Sequence, residues 1–205
     1  HFDRDELFIF VDNKLKKINL SEFTDSWNIE LENSDAKLTF TNDFIIASYA
    51  KKIAFIRRDN GSKNRTLDFP NGFISYSAGE NGNLLVLFVN SKGKKILGLF
   101  GKTRKVEIEI KNEEVTKIVL PNGYAFITTG LGTRIHEGNS LKPVTNFHSI
   151  FTRINTQNDI YYLFTNAYCV IYTPKPMKLI ATALLKKQLL NFYYYFGGII
   201  SDRPL

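Results

Sequence analysis

The sequence predicts an all-β fold built from a repeated four-stranded unit, and three observations carry that prediction. Short, strongly apolar runs recur along the chain, and runs this apolar read as strands buried on both faces. They start at residues 7, 44, 84, 124 and 160, so successive units lie 36 to 40 residues apart. Aromatic residues make up 14% of the chain, with 17 Phe and 10 Tyr, a mixture that suits pleated, half-buried surfaces better than helical bundles.

The strong runs are Leu7–Val11, Phe44–Ala47, Leu84–Val89, Tyr124–Ile127 and Ile160–Phe164. A short turn follows each one, centred on Asp12-Asn13-Lys14, Tyr49-Ala50-Lys51, Asn90–Gly93, Gly130-Leu131-Gly132 and Thr165-Asn166-Ala167. Partner strands follow at Leu15–Leu20, Ile53–Arg57, Lys95–Phe100, Thr133–His136 and Tyr168–Tyr172, which makes each pair a hairpin. A weaker, alternating strand comes next, at Trp27–Leu31, Arg65–Phe69, Lys105–Ile110 and Val144–His148. A fourth precedes the following strong run, at Lys37–Phe40, Phe73–Tyr76, Thr116–Leu120 and Ser149–Ile154. Four strands per unit, the strongest innermost, describe the blade of a β-propeller, and blades stack because one alone cannot bury both faces. The expected fold is therefore an all-β propeller of about five to six four-stranded blades.

The ends are less regular. Only His1–Asp5 is available for the outer-phase strand of the first unit, and Phe192–Phe196, Gly197-Gly198 and Ile199–Ser201 read as a truncated hairpin. Pro174 and Pro176 mark a break. After it, residues 177–190 read equally well as a strand or as an amphipathic helix through Ile180, Leu184, Leu185 and Leu189. The expected division is thus blades over 1–176 and a C-terminal segment over 177–205, either a helix plus terminal hairpin or a truncated last blade. A transmembrane segment is not expected, since Lys186 and Lys187 interrupt the apolar stretch from Leu179 to Ile200.

One segment, Lys52-Ile53-Ala54-Phe55-Ile56-Arg57-Arg58-Asp59-Asn60-Gly61-Ser62-Lys63-Asn64-Arg65-Thr66-Leu67, resembles the WD40-like propeller family. It is similar to that family's third strand, its turn and the start of its fourth strand. Ile56 stands where the family usually has Trp, and the Trp-Asp and Gly-His signatures are absent. The resemblance implies a propeller that presents loops for interaction.

The chain carries a formal net charge of +7, which points to an acidic or polyanionic partner. The phase of the basic residues is more specific. Lys14, Lys16 and Lys17, then Lys51 and Lys52, then Lys92, Lys94 and Lys95, then Arg134 all lie in or just after the same inter-strand turn. Equivalent turns of a propeller emerge on one face, so these residues form the candidate surface for an anionic partner. Lys102, Arg104 and Lys105 form a second cluster, expected on the opposite face. Phosphate contacts through such lysines would be strongly salt-dependent; the plainer reading is a set of solvated turns with blunted strand edges.

Candidates for chemistry are few. His1, His136 and His148 have no carboxylate or cysteine at ligand spacing, so packed or solvated roles are expected. Gly130-Leu131-Gly132 lacks the third glycine and following helix of a phosphate loop and reads as a hairpin turn. Cys169, the sole cysteine, sits in an apolar strand and reads as a buried structural thiol. It excludes an intrachain disulfide and fits a reducing, intracellular compartment. Asn19-Leu20-Ser21, Asn60-Gly61-Ser62 and Asn64-Arg65-Thr66 match the N-glycosylation pattern, a match that an Asn-rich chain makes by chance. Glu113-Glu114 and Asp3, Asp5 and Glu6 are the densest acidic groups, while Trp27 and Tyr193–Tyr195 are expected to pack rather than stack on ligands.

No catalytic, cofactor-binding or metal-binding residue is assigned, and no cofactor is expected. The expected function is a non-catalytic scaffold that binds other protein subunits in a larger assembly. The alternatives are a propeller subunit contacting RNA or DNA through its lysine-rich face, and a hydrolase or carbohydrate-binding propeller.

Overall fold

A computed structural model describes residues 2–3, 6–79, 82–111, 114–121, 123–157, 160–174, 177–184, 192–195 and 198–201. The strong runs occupy central positions in antiparallel sheets. The first sheet contains β1 (Phe2–Asp3), β2 (Glu6–Val11), β3 (Lys14–Asn19) and β4 (Thr24–Glu30), hydrogen-bonded in chain order. The second contains β5 (Lys37–Phe40), β6 (Phe44–Ser48), β7 (Lys52–Arg57) and β8 (Lys63–Asp68), and the third β9 (Phe73–Ala78), β10 (Leu84–Val89), β11 (Lys95–Phe100) and β12 (Lys105–Glu109). The fourth is β13 (Val115–Val119), β14 (Tyr124–Thr129), β15 (Gly132–Glu137) and β16 (Pro143–Phe147). The fifth is β17 (Arg153–Gln157), β18 (Ile160–Phe164), β19 (Tyr168–Pro174) and β20 (Met177–Leu184), and a two-stranded sheet of β21 (Phe192–Tyr195) and β22 (Gly198–Ser201) follows. These four-stranded meanders are propeller blades, with the strong runs as second strands flanked on both sides.

One open alternative is decided. Over Met177–Leu184 the chain is a strand, not a helix, and it pairs with β19 from Tyr168↔Leu184 to Pro174↔Met177. Ala and Leu favour a helix locally, but β19 would then present an unpaired row of main-chain donors and acceptors, and the ladder satisfies them. Residues 185–190 lie outside the described residues.

The chain divides into two compact units, His1–Ile110 and Lys111–Leu205. In the first, alternation along β6 supplies two interfaces at once. Ile45 and Ala47 join Phe8, Leu15 and Leu31 of the first blade, whereas Phe44 and Ile46 join Leu84, Val86 and Phe100 of the third. That is why β6 has no apolar/polar alternation: both faces are inside. Each such Ile or Phe contributes about 1.5–3 kcal/mol on burial. The second unit repeats the device, with Tyr161 and Leu163 packed on Phe126 and Ile135, and Tyr162 and Phe164 grouped with Cys169 on the other face. The fourth strands β4, β8 and β12 alternate between half-buried and exposed positions and carry charges along the exposed side, which blunts the edges.

Candidate binding surface

In a meander of four strands, the turn between the second and third strands lies at the same rim as the link to the next blade. Three contacts in the first unit trace that rim. The Glu32 main-chain N–H donates to the Tyr49 hydroxyl, 3.4 Å away, and Lys52 Nζ holds both Glu32 carboxylate oxygens at 2.8 and 2.9 Å. Asn71 Nδ2 donates to the carbonyl of Asn90, at 2.9 Å. The turns after β2, β6 and β10 therefore follow one another along one edge, and the geometry brings Lys14, Lys51, Lys52, Lys92, Lys94 and Lys95 to it.

The structure also places carboxylates there. Besides Glu32 on Lys52, Glu109 pairs with Lys94 at 2.8 Å, and Asp12, Glu30 and Asp68 are exposed nearby. The side chains of Lys14, Lys51, Lys92 and Lys95 have no ion pair among the described residues, and Lys14, Lys51, Lys92 and Lys95 are exposed. The Asn90 side-chain oxygen accepts from the N–H groups of Lys92 and Lys94, both at 3.0 Å, fixing the turn that displays them.

Three residues of the expected surface are elsewhere. Lys16 and Lys17 lie within β3 rather than in its turn. Lys16 pairs with Asp25 at 3.1 Å; Lys17, only 13% exposed, turns inward to Glu6 at 2.6 Å. Arg134 belongs to the second unit, inside β15 opposite Asn146, with its side chain on the blade face beside His136. Lys102, Arg104 and Lys105 sit at the turn between β11 and β12, which is the opposite rim of the third blade, and all are exposed. Lys105 pairs with Glu107 at 2.8 Å and lies 5.3 Å from the centre of the Phe100 ring.

What ties the blades together near this opposite rim escaped the sequence reading. Arg58, in the turn after β7, donates to Glu6 of the first blade at 2.8 and 2.9 Å and lies 5.3 Å from the Phe8 ring centre. Its carbonyl accepts from Trp27 Nε1 at 3.2 Å, so Trp27 packs against the turn and is not a stacking platform. A side chain at Gly61, where φ is +71°, would strike the indole, since its Cβ would come within 2.7 Å. Arg65 plays the corresponding part at the next interface. Its guanidinium lies 4.1 Å from the Phe55 ring centre and donates to the carbonyls of Gly82, Phe100 and Gly101. Trp27 and Arg65 occupy equivalent register positions, opposite Lys17 and Phe55, and are 38 residues apart. That spacing is one blade, and it was the available signal.

The remaining candidates have structural surroundings. His136 is buried, its Nδ1 2.9 Å from the carbonyl of Leu141, and burial pushes its pKa below the usual imidazole range. Cys169 is buried, and burial pushes its thiol up to about 11, the surroundings of a packed structural thiol. Gly130 and Leu131 form the turn between β14 and β15, as the hairpin reading requires. Asn19 and Asn60 each accept from the N–H and hydroxyl of the Ser two residues on, at 2.6–3.0 Å, so Asn19-Leu20-Ser21 and Asn60-Gly61-Ser62 act as turn chemistry. Glu6 is committed to Lys17 and Arg58, and Glu114 and His148 are exposed. His1, Asp5 and Glu113, and the side chains of Asp3 and Tyr193–Tyr195, lie outside the described residues. Among the described residues no three His, Cys, Asp or Glu side chains converge as metal ligands, and no helix is long and apolar enough to cross a membrane.

Solved structures share this architecture. The WD40 domain of Neurospora crassa Pan2 matches with a TM-score of 0.54 and 12% identity, over 87% of this chain and 62% of that one. Kluyveromyces lactis Hsv2 matches with a TM-score of 0.61 and 12% identity, over 82% and 58%. The propeller domain of Myceliophteria thermophila Cps50 (Swd1) gives 0.55 and 9%, over 87% and 67%. No family model and no curated protein matches the sequence. The chain spans about three fifths of the first two structures, and its fold is that of a β-propeller.

Proposed function

We propose that the chain is a non-catalytic propeller scaffold that binds other protein subunits through its rims inside the cell. The observation that carries this reading is the contrast between anchor and display. Trp27, Arg58 and Arg65 lock one blade to the next near the rim of the β3–β4, β7–β8 and β11–β12 turns, while the turns of both rims present exposed side chains of mixed character. Those include Lys51, Lys92 and Lys95, and also Phe23, 83% exposed at the turn between β3 and β4. Loops held on a rigid frame are suited to recognition, and function in this architecture resides in the loops.

A nucleic-acid contact would draw on the same lysines. The carboxylates interleaved with them, Asp12, Glu30, Glu32, Asp68 and Glu109, favour a protein surface over a phosphate backbone. The test is the native size of the tagged chain in a cell extract, with lysine crosslinking and mass spectrometry. Elution well above 23.5 kDa with crosslinks from Lys51, Lys92 or Lys95 to other polypeptides is expected. Elution as a lone chain without such crosslinks overturns the scaffold reading.

A further inference from the structure

The positive charge is unevenly distributed. Residues 91–110 hold six basic and two acidic side chains, so they carry +4 of the net +7. Lys92, Lys94 and Lys95 stand at one end of β11, and Lys102, Arg104 and Lys105 stand at its other end. The six-residue strand between them separates the clusters by about 17 Å.

The strand running between those two ends on the outer side of the sheet is β12, the terminal strand of its sheet. Ile110 donates to the carbonyl of Lys95, and Gly101 to that of Arg104, so the even-numbered residues of this segment direct their main-chain groups toward β11. By alternation, those of Lys105 and Glu107 point away from it. No described strand pairs with that side.

We propose that the outer edge of β12 takes up an extended peptide with acidic residues at both ends, added as a further strand. The inference rests on the scaffold reading and names the chemistry of one partner. Main-chain hydrogen bonds to Lys105 and Glu107 provide the register, and the two basic clusters select the acidic ends. Phosphate polymers fit less well for two reasons. Glu107 and Glu109 stand between the clusters and would repel a uniformly charged backbone. The intervening side chains are Val106 and Ile108, with no exposed aromatic ring on which bases could stack.

The experiment is fluorescence anisotropy on the full chain with three labelled probes. The first is a peptide of about ten residues with paired Glu or Asp at each end and a Thr/Val centre, long enough to span the strand and both clusters. The second has the same composition with its acids in the centre, and the third is a single-stranded RNA of similar length. The end-acidic peptide should bind at least about tenfold tighter than its isomer and than the RNA, and weaken with salt. Lys95→Glu and Arg104→Glu should each reduce its affinity several-fold. Glu107→Pro removes an outward N–H without touching the β11 ladder and should abolish binding. Amide exchange gives a second readout that needs no variant: the N–H groups of Lys105 and Glu107 should gain protection when the peptide binds.

Equal binding of the isomer or the RNA overturns the proposal, as does unaltered exchange at both amides or full binding by a folded Glu107→Pro. These results are separable from the scaffold test. A chain that elutes in an assembly but ignores the peptide defeats only the β12 proposal; a chain that elutes alone defeats the scaffold reading beneath it.

Discussion

Arg65 joins the second blade to the third. It lies between Phe55 and three carbonyls of the following blade, and burial lowers its pKa from the ordinary guanidinium value. Arg65→Met keeps much of the contact with Phe55 but leaves Gly82, Phe100 and Gly101 without their donor. A loss of roughly 2–3 kcal/mol in urea-unfolding stability is expected, because an abandoned buried acceptor costs its desolvation. A loss below about 0.5 kcal/mol would show that water replaces the guanidinium. Glu6 makes a pH prediction. Burial alone would raise its carboxyl pKa, but the hydrogen bonds and charges of Lys17 and Arg58 outweigh burial and hold it below the ordinary 4.5. A depressed carboxylate contributes stability that is full above 4.5 and lost as pH falls through the lower folded value. Glu6→Gln should therefore lower stability at neutral pH and flatten the decline below that point. An acid limb identical to that of the wild type would remove Glu6 from the account.

At the scale of the element, the turn between β14 and β15 depends on one glycine. Gly132 has φ +140°, and a Cβ there would lie 2.0 Å from the carbonyl oxygen of Phe147 on β16. Two main-chain segments meet, so no side-chain rotation relieves the clash. Gly132→Ala should cost at least about 2 kcal/mol and lower the melting temperature by several degrees. Gly93 provides the contrast, with φ +73° and nothing near its Cβ, so Gly93→Ala should cost only about 1 kcal/mol of backbone strain. Equal melting shifts for the two variants would contradict the steric account. The strand β20 shows the limit of propensity at this scale. Its residues favour a helix in isolation, and the unpaired side of β19 converts them to strand.

At the scale of the molecule, stability resides between blades rather than within them. Phe69, 3% exposed, follows the second blade and meets Phe73, Phe88 and Phe100 of the third at ring-centre separations of 5.2–5.6 Å. Phe69→Ala should cost about 3–5 kcal/mol. Hydrogen exchange should accelerate in β6–β7 and in β10–β11 together, since each blade buries one face of the other. Acceleration confined to the blade that carries the substitution would mean that the blades are independently stable.

The sequence by itself determined the repeat. Runs with no polar alternation, spaced 36 to 40 residues apart and each followed by a hairpin turn, point to strands buried on both faces, as stacked blades provide. It also set the phase of the turns, and hence the shared rim of Lys14, Lys51 and Lys92. Only the tertiary structure decided which cations remain on that rim. Lys17 and Lys14 look alike in sequence, yet alternation turns Lys17 onto Glu6 and leaves Lys14 in solvent. The anchoring partners of Arg58 and Arg65 were likewise set by the tertiary structure: Arg58 meets Glu6 and Phe8 of the preceding blade, and Arg65 meets main-chain carbonyls of the following one, which leave no residue signature. The strand Met177–Leu184 was decided in the same way, by an edge requiring hydrogen bonds. Periodicity reports which face a residue occupies; what waits on that face is set by a neighbour about forty residues away.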